Sequence, residues 1–108
     1  MKKNQKFTLD KRLKKLGYKI FDASDYLTSE KMITEYLSAA SEDPNPEVFI
    51  AALGDVAKAR GMGKVAKKAG LGRESLYKTF SKGSHPRFET ISAVMHALGI
   101  KFSVETTA

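Results

Sequence analysis

The stretch Met62–Phe80, MGKVAKKAGLGRESLYKTF, decides how the whole chain is read. Val65 and Ala66 stand before a Gly70-Leu71-Gly72 break, and Leu76 stands beyond it. Two short helices that cross steeply need a small residue at their closest approach, which Ala66 supplies. The reversal between them needs a backbone conformation that glycine adopts without strain. Leu71 and Leu76 then fill the angle between the helices. The spacing predicts one helix over Gly63–Ala69 and a second over Arg73–Phe80, a helix-turn-helix. An ordinary helical hairpin is the competing reading of the same small residues.

Basic side chains stand where a duplex would lie against such a unit. Lys64 begins the first helix, where its charge and the free backbone amides could meet a phosphate, and Lys67 and Lys68 extend that rim. On the second helix Arg73, Glu74, Tyr77 and Lys78 point away from the Leu76 face, on the turns that enter the major groove in this motif. They are the candidate base-reading residues. Arginine can bond guanine O6 and N7 together, and glutamate can accept from cytosine N4. Ser75 suits a backbone phosphate. Lys82, Ser84 and Arg87 in the following loop are further phosphate candidates, although charged loop residues are often merely solvated. His85 and His96 are eleven residues apart with no cysteine or carboxylate pattern beside them, so no metal site is expected.

Outward from this unit, the turn SEDPNP precedes a strong helix that Asn45 caps, with Pro46 at the first helical position. Phe49, Ala52, Leu53, Val56 and Ala57 form its apolar stripe, and Gly61 is expected to close it as a left-handed cap. Before it, Thr28 is expected to N-cap a helix reaching Ala40, with Met32, Ile33, Tyr36, Leu37 and Ala40 as its core face. FDASDYL, Phe21–Leu27, reads as extended or irregular. After the motif a last helix spans Phe88–Leu98, with Val94, Met95 and Leu98 inward and Gly99 as its stop. The alternation in IKFSVE predicts a short strand from Ile100 to Val104, a candidate for pairing two copies across a two-fold.

A chain of 108 residues with 42% hydrophobic content is one compact domain with appendages. We divide it into a basic arm (1–19), an acidic helical segment (20–44) that is a candidate toxin or dimer contact, and the helix-turn-helix DNA-binding region (45–108). In the arm, Asp10 could cap a short helix carrying Leu13 and Leu16. Cysteine is absent, which excludes disulfides, thiolate zinc sites and a cysteine nucleophile. No apolar run follows the charged N-terminus and none approaches membrane-spanning length, so a cytoplasmic location is expected.

The net charge of +7 is laid out in blocks. Residues 1–19 carry +7, 20–57 carry −7, 58–87 carry +8 and 88–108 carry −1. Two surfaces of opposite taste follow: a basic one suited to phosphates and an acidic one suited to a cation-rich partner. Catalysis lacks its parts. Neighbouring carboxylates such as Asp22 and Asp25, or Glu42 and Asp43, fit capping and turn chemistry, and neither a nucleophile-base pair nor a phosphate-cradling glycine loop is present.

From Phe21 to Phe102 the order of blocks resembles the probable addiction-module antidote proteins, an Xre-like family related to the HigA-type antitoxins. FDASDYL, ALGDVAKARGM, GRESLYK and HPRFETI carry the likeness. It implies an all-α fold of the Cro and cI repressor type, with the helix-turn-helix, an N-terminal helix and the short C-terminal strand. It also implies a homodimer that binds double-stranded operator DNA, represses its own operon, and neutralises a small basic toxin similar to the RelE and ParE group. No cofactor is implied. Arg73, Glu74, Ser75, Tyr77 and Lys78 match the family's recognition-helix block. Lys64 stands where glutamine is expected, which keeps a phosphate contact but loses the amide's two-sided bonding. The alternatives are a stand-alone phage-type repressor and a protein-interaction module with weak DNA binding.

Overall fold

The computed structural model describes residues 27–107. The arm 1–19 and most of FDASDYL lie outside the described residues. Among those described there are five helices and no strand: α1 (Glu30–Ser41), α2 (Pro46–Arg60), α3 (Met62–Ala69), α4 (Arg73–Thr79) and α5 (Phe88–Ala97). An all-α architecture is thus what the described residues adopt. No helix of the described residues is long and apolar enough to cross a membrane.

The boundaries follow from local chemistry. α2 begins as its sequence predicts: the Asn45 side chain accepts from the Glu47 amide at 3.0 Å, and Pro46 takes the first position. For α1 the cap is Ser29, one residue beyond the expected Thr28. Ser29 is extended and its hydroxyl accepts from the Met32 amide at 3.2 Å, whereas the Thr28 hydroxyl lies 3.8 Å from the Met32 sulfur. That sulfur marks a second correction. Met32 is 40% exposed while Ile33 and Leu37 are buried, because a step of about 100° along the helix carries it off a narrow stripe.

Gly61 also departs from expectation. Its φ of 100° is positive but its ψ of 110° is extended, so it is not a left-handed cap. The next residue, Met62, already begins α3, and an N-cap requires extended ψ. Gly70 does take the left-handed conformation, at φ 72° and ψ 27°. There the Leu71 amide reaches back to the Ala66 carbonyl at 2.9 Å, a Schellman closure. Gly99 ends α5 in the same way, with the Ile100 amide on the Met95 carbonyl at 2.9 Å.

One core joins the elements. Leu27, Ile33 and Leu37 share it with Leu53 and Val56 of α2, Met62, Val65 and Ala66 of α3, Leu76 of α4, and Ile91, Val94 and Met95 of α5. Leu53, Leu76, Val56 and Val94 are its fully enclosed large side chains. Leu98, expected inward, is only partly buried and caps α5 instead of extending it. The expected strand at Ile100–Val104 does not form. A strand needs a neighbour for its ladder, and the described residues of one copy provide none.

Candidate nucleic-acid interface

α3, the Gly70–Gly72 turn and α4 form one packed unit. Ala66 is 2% exposed and Leu76 fully enclosed, so the small contact residue and the plug occupy the places that their steric roles require. Burying Leu76 orients the rest of α4. Arg73, Glu74, Ser75, Tyr77 and Lys78 are all exposed on it, as are Lys64, Lys67 and Lys68 on α3 and Lys82, Ser84 and Arg87 beyond it. Charges stay in water when nothing pairs them.

Within this set the structure makes distinctions that spacing does not. The Arg73 guanidinium lies over the Tyr77 ring, 5.7 Å from its centroid, a cation-π pair one turn apart. Ser75, Lys78 and Ser84 line one shallow hollow beside α4. Lys68 instead lines a hollow against α5, with Phe88, Glu89 and Ser92. Lys64 folds back toward Gly61, where an added Cβ would meet its Cδ at 3.7 Å. Arg87 lies 3.9 Å from Glu89, an exposed pair that contributes little to stability.

The loop after α4 is built by its own hydroxyls. Ser81 donates to the Lys78 carbonyl and Ser84 to the Thr79 carbonyl, each at 2.6 Å. The Ser84 proton is therefore engaged in closing the end of α4. Gly83 at φ 74° and His85 at φ 48° turn the chain left-handed before Pro86. For histidine this conformation is uncommon and mildly strained.

The acidic segment has its own local explanations. Glu30 and Glu47 lie in the first turns of α1 and α2, where a negative charge complements the helix dipole. Asp43 accepts from the Asn45 amide at 2.9 Å. Asp55 accepts from the Tyr36 hydroxyl, tying α1 to α2. Glu35 lies 4.0 Å from Lys31 on the outer face of α1.

Two features of this region have no counterpart in the sequence argument. Gly54 of α2 faces the Phe80 ring so closely that an added Cβ would lie 3.0 Å from its Cγ. Phe49, Phe88 and Phe102 also form an aromatic row, with ring centroids 6.4 Å apart for Phe49 and Phe102 and 5.6 Å for Phe88 and Phe102. The isolated Gly54 inside the helical run Pro46–Arg60 was the available sequence signal for the first, as a glycine there marks a close approach.

Residues 17–106 match the family described as "Probable addiction module antidote protein". A Haemophilus influenzae protein described as uncharacterized is 44% identical over 87 residues, covering 81% of this chain and 90% of that protein. No solved structure matches. With the match spanning every described helix and the relative close along nearly its whole length, the chain belongs to the probable addiction module antidote protein family.

Proposed function

We propose that the chain is the antitoxin of a type II toxin-antitoxin module. On this reading it is an Xre/HigA-like helix-turn-helix protein of the Cro and cI repressor type, and it acts in the cytoplasm. It binds operator DNA as a homodimer, represses its own operon and neutralises a RelE/ParE-like toxin. Family membership supports the antidote role and, with it, a toxin as partner. The observation that carries DNA binding is the α3–turn–α4 unit: its plug Leu76 is fully enclosed while Arg73, Glu74, Tyr77 and Lys78 stand exposed on one short helix. Lys64, Lys67, Lys82 and Arg87 supply positive charge around it for phosphates, and the 58–87 block carries +8 in all.

α4 enters the major groove in this reading, with Arg73 and Glu74 in its first turn nearest the base edges. A two-fold pair of such helices reads half-sites about 34–36 Å apart, or a multiple of that. Footprinting the DNA upstream of the gene is the test. Two protected patches at that spacing are expected, and absence of protection at low salt would sink the proposal. Co-purification of the small product of the adjacent gene tests the toxin partner separately.

A further inference from the structure

Lys82 stands at the tip of a turn whose two ends are both tied to α4. The Ser84 amide donates to the Ser81 carbonyl at 3.2 Å, closing a four-residue turn with Lys82 second and Gly83, at φ 74°, third. The residues at its ends also bond back to the helix. The Ser81 hydroxyl donates to the Lys78 carbonyl and the Ser84 hydroxyl to the Thr79 carbonyl, each at 2.6 Å. Lys78 and Thr79 are the last two residues of α4, where carbonyls have no partner along the helix.

Packing does not supply this placement. An open hollow of about 200 Å³ lies between the turn and Glu47, Ile50 and Ala51 of α2. A second hollow, lined by Ser75, Lys78 and Thr90, adjoins Ser81 and Ser84. Ser81, Lys82, Gly83 and Ser84 are all exposed. With open space beside it, the turn is fixed to α4 by its own hydrogen bonds. Its charge is uncommitted as well. Arg87 lies 3.9 Å from Glu89, whereas Lys82 has no ion pair among the described residues.

We propose that Ser81 and Ser84 are positioning residues for Lys82. They clamp the turn so that α4 and the lysine meet the duplex as one rigid piece, α4 at the base edges and Lys82 at a flanking phosphodiester. The inference rests on the DNA reading given under Proposed function and deepens it. Neither serine donates to the phosphate itself, because a hydroxyl has one proton and both protons are spent on carbonyls. What the clamp contributes is order. A lysine on a loose loop gives up loop freedom when it binds, and a tied turn has given it up beforehand.

The test uses the full chain and the double variant Ser81→Ala with Ser84→Ala, with affinity for operator and random DNA followed across a salt series. Loss of a neutral hydroxyl contact lowers affinity without changing the counterions released, whereas loss of a lysine contact lowers the salt slope by about one unit. The double variant should lose that unit, match Lys82→Ala, and add nothing in a chain that already carries Lys82→Ala. Ser81→Thr with Ser84→Thr keeps both hydroxyls and should restore the native slope. Thermal unfolding should stay cooperative because both serines are exposed, and Ser84→Ala alone is the milder variant should melting shift. A native slope in Lys82→Ala or in the double-alanine variant overturns the proposal and leaves the DNA reading standing. A native chain that binds neither DNA at low salt overturns both.

Discussion

Arg73 and Lys67 carry the same charge and have different consequences in the proposed complex. Arg73 stands in the first turn of α4 with its guanidinium held over Tyr77, and a planar fork fixed in this way can match the two acceptors of guanine. Arg73→Ala should lower discrimination at one base pair by about 1–3 kcal/mol, measured by titrating operators substituted at single positions. Tyr77→Phe should preserve that discrimination, and Tyr77→Ala should erode it, because only the ring is needed for the stack. Lys67→Ala should weaken operator and random DNA alike and reduce the salt slope by about one unit. Equal losses on both DNAs for Arg73→Ala would contradict a base-reading role.

At the scale of elements, the end of α4 is held by a contact that leaves no room. The Phe80 ring lies against Gly54 with 3.0 Å between its Cγ and the position of an added Cβ. Gly54→Ala gains about 1 kcal/mol of helix propensity and must displace a ring at a cost of about 1–3 kcal/mol. The displacement should win by about 1 kcal/mol in denaturant titration, with Gly54→Val losing more and weakening operator binding through the shifted α4. Unchanged stability for Gly54→Val would mean that the ring yields freely.

Contacts of this kind explain what could be read beforehand. α2 and the α3–α4 turn were legible because Asn45, Pro46, Gly70 and the apolar stripe act within a few residues of themselves. So was the exposure of the basic side chains, since an unpaired charge stays in water. The outward Met32 and the inward Ile91 depend on how neighbouring helices cross. The Arg73–Tyr77 stack, the engaged hydroxyl of Ser84 and the turn of Lys68 toward α5 need the packed molecule to be seen. The missing strand has the plainest reason: alternation describes what a tail can pair with, and pairing requires a second edge.

For the whole molecule, the shared core sets the limits of independence between surfaces. Ile33 and Leu37 of α1 close over the same interior as Leu76 of α4, so a partner that shifts α1 acts on the packing beneath the basic unit. The joint between α2 and α3 tightens this coupling, since Gly61 ends one helix and begins the next, and its carbonyl accepts from Val65 at 3.0 Å. One extra alanine placed after Gly61 should rotate α3 by about 100° against α2 and abolish cooperative thermal unfolding. The same insertion between Glu42 and Asn45, or between Lys82 and His85, should be absorbed. A joint one residue long also constrains descent: related chains should vary in length at the two loops and keep the same count of residues from α2 through α3.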